Sequence, residues 1–159
     1  MNTRINWMKS APAVVHAMFG LQKAVNESGL EHPLLELVKM RASQLNGCAA
    51  CLDMHFKDAR AAGETEQRLY LLDAWHEAEH LYTERERAAL AWTEALTLLT
   101  TGRVPDEVYE RAHAQFNDAE LAQLTLAIVA INGWNRLNVG FRMPAGDYQP
   151  GMFKNVKLA

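Results

Sequence analysis

Residues 36–55, ELVKMRASQLNGCAACLDMH, contain the only two cysteines of the chain, and the organisation of the sequence is clearest when described outward from them. Cys48 and Cys51 form a Cys-x-x-Cys motif. A carboxylate, Glu36, precedes the motif, and an imidazole, His55, follows it. A thiol pair flanked by an acid and a base is a candidate for redox chemistry or for metal binding.

The dipeptide Asn46-Gly47 predicts a break between two helices. Glycine readily adopts the left-handed conformation that ends helices, and asparagine is a good N-cap for the next one. We therefore place the carboxylate on one helix, and the two thiols and the imidazole on the first two turns of a helix spanning about 46–62. At ~100° per residue these three side chains fall within about 60° of one another. They are expected to face inward together, in a partly buried site.

The rest of the chain is predicted to be helical. Proline suits the first turn of a helix, and Thr83-x-x-Glu86 has the pattern of a capping box that opens a long helix to Gly102. No segment shows the alternation of a β-strand. We therefore predict an all-α fold, whose other helices begin near Pro12, Pro33, Glu64, Pro105 and Asn117.

The end of the chain has a different character. From Leu137 onward the sequence is rich in Gly and Pro and has no periodicity, so we expect an extended tail over the body or over a neighbouring subunit. Four tryptophans, seven methionines and this tail favour a homo-oligomer, because large exposed apolar patches usually mark interfaces. Phe141, Tyr148 and Phe153 are the candidates for crossing to a neighbour.

Length and composition exclude several classes of protein. At 159 residues the chain suits one domain, 1–159, with a substantial core. A formal net charge of −3 and the lack of a basic segment give no reason to expect nucleic acid. No apolar run approaches the ~18 residues of a membrane span, and the N-terminus lacks a signal peptide's apolar core. We expect a cytoplasmic protein with no membrane partner.

Two uses of the cysteines compete with redox chemistry. Cys48, Cys51 and His55 could supply three zinc ligands, but no second Cys-x-x-Cys or His pair completes a structural site at familiar spacing. The cysteines could also be small buried hydrophobic residues, although their close spacing and the nearby histidine argue against this. We expect neither a metal nor another cofactor.

This segment contains the groups that thiol redox chemistry requires. A helix N-terminus and a neighbouring base favour a thiolate. A sulfenic acid formed on one sulfur would condense with the other thiol into a disulfide, which protects it from overoxidation. The motif does not follow a β-strand, so a thioredoxin-like fold is not expected.

The residues resemble a known family. Glu36, Cys48, Cys51 and His55 match the spacing of the AhpD-like alkylhydroperoxidases, within the carboxymuconolactone decarboxylase-like superfamily. The segments MRASQLNGCAACLDMH, YTERERAALAWTEALT and AINGWNR look like that family's common subgroup. The resemblance covers about 30–138, and it implies a compact all-α domain with that core, which assembles into trimers or hexamers.

The resemblance also implies an activity, the reduction of hydroperoxides through a Cys-x-x-Cys disulfide cycle. By position, Cys51 would be the peroxidatic thiol, Cys48 the resolving thiol, and Glu36 and His55 the proton relay. The founding enzymes carry a second histidine just before the second cysteine, where this chain has Ala50, so that relay step would pass through water or be absent.

The sequence therefore predicts a thiol-dependent peroxidase that uses a hydroperoxide and an external dithiol reductant, either a protein or a small thiol. Two alternatives stay open: a general protein disulfide oxidoreductase, and a non-enzymatic redox-sensing oligomer. We also expect Glu36→Gln to slow the reaction without unfolding the protein, because the change disturbs a proton relay more than a core.

Overall fold

The computed structural model describes residues 2–153, and within that range all regular structure is helical, so the predicted all-α class is confirmed. Two short 3₁₀ turns, Leu72–Ala74 and Glu79–Leu81, lie between the fifth and sixth of eight α-helices. The α-helices are α1 Trp7–Ser10, α2 Pro12–Asn26, α3 His32–Leu45, α4 Ala49–Ala61, α5 Glu66–Leu71, α6 Glu84–Thr97, α7 Asp106–His113 and α8 Asp118–Phe141.

Helix α3 is the centre of the fold. It packs against α4, α6 and α8, and every residue from Leu34 to Ser43 is buried. Both the apolar and the polar faces of α3 are covered over this stretch. Its charged residues are therefore paired: Glu36 with the buried Lys39, and Arg41 with Glu94 and with the exposed Asp73. Unpaired charges at such positions would be costly, because burial disfavours ions that lack a partner.

The turn between α3 and α4 differs from the prediction in one detail. Asn46 caps the C-terminus of α3, Gly47 follows with φ +64°, and the N-cap of α4 is Cys48 itself. Asn46 does not cap α4, because its side chain donates instead to Asn132 and Asn135 of α8. Helix α4 therefore begins at Ala49, later than the predicted position 46, and one of the two sulfurs lies at its very N-terminus.

Helix α8 is longer than the sequence suggested. It continues through Leu137 to Phe141 and ends at Arg142, which has φ +57°. Gly140 did not stop the helix, because α8 packs against α2, α3 and α4 and tertiary packing outweighs weak helix propensity. The tail therefore begins at Arg142. Its described part lies along α4 of the same chain, the first of the two placements that we expected.

The tail is bound to α4 by polar contacts. Lys57 donates to the carbonyl oxygens of Gly146 and Tyr148 at 2.9 Å, and the Tyr148 hydroxyl donates to Asp58 at 2.9 Å. The ring of Phe153 stacks on Tyr148. The face of α4 that carries Lys57 is therefore partly covered by the chain's own C-terminal segment.

The predicted capping box at Thr83 is confirmed. Thr83 and Glu86 exchange the two expected hydrogen bonds at the start of α6. The four tryptophans lie in the core, each less than a tenth exposed, so they do not themselves provide apolar surface for an interface. Among residues 2–153, no helix is both long enough and apolar enough to cross a bilayer.

Candidate active site

The two cysteines are joined in a disulfide at the N-terminus of α4, with their Cα atoms 5.3 Å apart. Both are about 1% exposed. The Sγ atom of Cys48 also acts as the helix cap, because it accepts the backbone N–H of Cys51 at 3.3 Å. Unpaired N–H groups and the helix dipole at this position favour negative charge on a sulfur.

Glu36 and His55 are in direct contact behind the disulfide. The Nδ1 atom of His55 donates to Oε2 of Glu36 at 2.8 Å, and both side chains are buried. The turn at Asn46–Gly47 makes this contact possible, because it folds α4 back against α3. The structure thus brings together an acid from one helix and a base from the next, two of the four residues that the sequence singled out.

Lys39 completes a buried triad that sequence reasoning missed. Its Nζ atom donates to Oε1 of Glu36 at 2.8 Å, and its side chain is only 8% exposed. A signal was present, since Lys39 lies three residues after Glu36 and such pairs meet on a helix surface. The structure buries the part of α3 on which this pair lies.

The carboxylate of Glu36 is held ionised by these partners. Burial by itself would raise the pKa of Glu36, but the hydrogen bond and charge interaction with His55, and those with Lys39, lower it to about 2. An ionised carboxylate can only accept, so Nδ1 of His55 must carry the proton. In the neutral ring, Nε2 is then the free base. No hydrogen bond joins His55 to either sulfur among the described residues, so a proton transfer between them would need a water or a small movement on reduction.

Three asparagines of α8, Asn132, Asn135 and Asn138, form a row of polar side chains beside the turn that carries the cysteines, and we call this row the seam. Asn46 donates to Asn132 Oδ1 at 3.0 Å and to Asn135 Oδ1 at 2.9 Å. Asn135 in turn donates to Ser43 of α3 at 3.0 Å. One turn further along the same face, Nδ2 of Asn138 lies 3.4 Å from Sγ of Cys51.

The seam was another residue set that sequence reasoning missed. Asn132, Asn135 and Asn138 recur every three residues in the second half of α8, which is the spacing of one helical face. That spacing could have indicated a polar contact surface. It could not have indicated the turn near Cys48 as the partner, because the two segments are far apart in sequence.

A small cavity lies against Glu36. Its volume is about 170 Å³, and the residues in its wall include His32, Met40 and Ala59. The exposed His32 has its Nε2 atom 3.8 Å from Oε1 of Glu36. Glu36 lines this cavity and neither cysteine does.

Comparisons with known proteins agree with this architecture. The model of the carboxymuconolactone decarboxylase family matches residues 12–95. An uncharacterized protein of Bacillus subtilis (strain 168), YdfG, is 42% identical over 139 residues, which are 87% of this chain and 94% of that protein. These matches confirm the family resemblance seen in the sequence.

Two of the solved structures that are similar to this one illustrate the range of likeness. The first is ATU0492 from Agrobacterium tumefaciens, a protein of unknown function with a suggested role in antioxidant defence as AhpD. It has a TM-score of 0.89 and 44% identity, covering 92% of this chain and all of that one. The debrominase Bmp8 has a TM-score of 0.78 and 19% identity, covering 88% of this chain and 75% of that one. The second likeness is one of fold alone.

Proposed function

The chain belongs to the carboxymuconolactone decarboxylase family, and on that premise we propose that it is an AhpD-like, thiol-dependent peroxidase that reduces hydroperoxides. Cys51 is the peroxidatic thiol, Cys48 is the resolving thiol, and His55 with Glu36 forms the proton relay. The observation that carries the proposal is the Cys48–Cys51 disulfide beside a histidine whose Nδ1 is held by an ionised carboxylate.

The first step needs a thiolate. In the reduced protein, Nε2 of His55 accepts the proton of Cys51, directly or through a water, and Glu36 stabilises the resulting imidazolium. The Cys51 thiolate attacks the terminal oxygen of the hydroperoxide, so that an S–O bond forms as the O–O bond breaks. The leaving alkoxide takes a proton from the imidazolium and departs as an alcohol. The sulfur has lost two electrons and is now a sulfenic acid.

The second step forms the disulfide seen in the structure. The thiol of Cys48 loses its proton and attacks the sulfur of the Cys51 sulfenic acid, and the hydroxyl group leaves as water. An external dithiol then reduces the bond by exchange through a mixed disulfide, which restores both thiols and oxidises the reductant. The proposed cycle therefore suits a reducing compartment such as the cytoplasm.

A general protein disulfide oxidoreductase is the main alternative, since the same dithiol would serve. The burial of both sulfurs favours a small hydroperoxide over a protein disulfide as the oxidising substrate. Steady-state assays with an organic hydroperoxide and with insulin, each with a dithiol reductant, separate the two functions. We expect turnover of the hydroperoxide, and insulin reduction no faster than with the reductant alone. The opposite pattern would contradict the proposal.

We also propose that the chain forms a homo-oligomer, a trimer or a hexamer. The buried tryptophans no longer support this, but α2 exposes apolar residues along one side, and Val129 of α8 is 55% exposed. The exposed apolar residues of α2 are Pro12, Ala13, Val14, Ala17 and Ala24. Light scattering at micromolar concentration should return a multiple of the 17.9 kDa chain mass. A mass equal to one chain would contradict this proposal.

A further inference from the structure

The side-chain amide of Asn138 lies against a reacting atom. Its Nδ2 donates a hydrogen bond from α8 to Sγ of Cys51 on α4, over 3.4 Å. We propose that Asn138 is a catalytic residue, a hydrogen-bond donor that stabilises the Cys51 thiolate. This inference rests on the proposed peroxidase function and adds a residue to its site.

The position of this amide is fixed by the seam beside it. Asn132 and Asn135 bind the side chain of Asn46, which ends α3 immediately before the cysteine turn. Asn138 lies on the same face of α8, one turn beyond Asn135. The contacts that hold α8 against the turn therefore also set the distance between the amide and the sulfur. A donor placed in advance need not be ordered when charge develops, which makes its stabilisation of that charge effective.

In this structure the sulfur that accepts the hydrogen bond is part of the disulfide. On reduction the same atom becomes the sulfur of a thiol or a thiolate. A neutral disulfide is a weak acceptor, whereas hydrogen bonds to an ionised partner are roughly twice as strong as neutral ones. The contact should therefore strengthen when Cys51 is reduced and ionised. It stabilises one sulfur of the pair, and that sulfur is the one assigned to attack the peroxide.

The titratable groups in this part of the protein are bound to partners other than the sulfur of Cys51. His55 lies on the same helix as Cys51, and Glu36 and Lys39 lie on α3. Glu36 binds both His55 and Lys39. From the tail, Tyr148 is bound to Asp58. From α8 the group at the sulfur is the neutral Asn138. At position 50, next to Cys51, the chain has alanine and no imidazole.

The test measures the ionisation of Cys51 without any peroxide. In a Cys48→Ser background, the rate of alkylation by iodoacetamide is followed across pH, which gives the pKa of the Cys51 thiol. Serine is a good N-cap, so this background keeps the start of α4 intact. Asn138→Leu removes the donor at similar size, and Asn138→Asp replaces the N–H with a carboxylate. Asn26→Leu, at the exposed C-terminus of α2, is the matched control.

We expect Asn138→Leu to raise the pKa of the Cys51 thiol by about one unit, which is about tenfold less thiolate well below that pKa. Asn138→Asp should raise it further, because a like charge disfavours the thiolate. Asn26→Leu should leave it unchanged, and circular dichroism checks that each variant is folded. If both Asn138 variants keep the pKa of the background, the role of Asn138 is wrong, even where the wild type reduces hydroperoxide. If the pKa rises but the wild type turns over no hydroperoxide, Asn138 stabilises the thiolate and the peroxidase function fails.

Discussion

Replacing Glu36 with glutamine is expected to slow hydroperoxide reduction by ~10²–10⁴-fold, the usual contribution of general acid–base groups. The amide cannot stabilise the imidazolium that forms when His55 takes the proton of Cys51. The same change should also destabilise the fold by ~3–5 kcal/mol, because it leaves the ammonium of Lys39 buried without its counter-charge. Denaturant unfolding and initial rates, measured on the same preparation, give the two effects.

A double variant separates these two effects. Glu36→Gln with Lys39→Met removes both charges, so no ammonium is left buried without its counter-charge, which is the main cost of breaking a buried ion pair. The double variant should therefore regain most of the lost free energy of unfolding but remain as slow as Glu36→Gln. If Glu36→Gln alone keeps wild-type stability, the pairing of Lys39 with Glu36 is not the structural constraint described above. Activity within about twofold of wild type would remove Glu36 from the relay.

The stability effect depends on pH in a defined direction. The pKa of Glu36 is lowered from 4.5 to about 2, so its contribution to the free energy of unfolding is complete above pH 4.5 and disappears as pH falls towards 2. At about 1.4 kcal/mol per pH unit, that contribution is roughly 3 kcal/mol. The difference in stability between wild type and Glu36→Gln should therefore be largest at neutral pH and shrink through this window. A difference that is constant from pH 7 to pH 2 would contradict the assignment.

The second large effect concerns which thiol reacts. Cys48 caps α4 and receives the helix dipole, which contributes ~0.3–1 kcal/mol at such positions. Cys51 has His55 one turn along its helix and Asn138 at its sulfur. A histidine paired with a cysteine can lower the thiol pKa by several units, so we expect the relay to outweigh the dipole. The fast-alkylating thiol should be Cys51.

Alkylation of single-cysteine variants across pH decides this assignment. Cys48→Ser should retain a thiol that reacts fast near neutral pH, and Cys51→Ser should not. Adding His55→Ala to Cys48→Ser should slow that thiol sharply at neutral pH and much less at high pH, where any thiol is ionised. If Cys51→Ser keeps the fast thiol, the dipole and the capping N–H dominate, and the roles of the two cysteines must be exchanged.

Local sequence signals were enough to predict much of the fold and part of the site. The break at Asn46–Gly47 placed Glu36 and the cysteines on successive helices, and the capping box at Thr83 placed the start of α6. These features depend on a few neighbouring residues and on helical periodicity. The tail was predicted from composition, but its start was not, because the length of α8 is set by packing against other helices.

Contacts between distant segments could not be predicted in the same way. Glu36 was taken for a residue whose loss would spare the core, but α3 is buried on all sides and Glu36 is paired with Lys39. Whether a helix is covered on one face or on both depends on how many neighbours pack against it, and the helix's own sequence does not contain that information. Asn138 was missed for the same reason, because its partner is on another helix.

The most direct test of the proposed cycle is the steady-state consumption of an organic hydroperoxide, with an excess of dithiol reductant, by wild type and by Cys51→Ser. We predict that wild type consumes many equivalents per chain and that Cys51→Ser consumes hydroperoxide no faster than the reductant alone. Wild-type consumption that stops near one equivalent per chain with reductant still present, or wild-type rates from Cys51→Ser, would contradict a peroxidase cycle through this thiol.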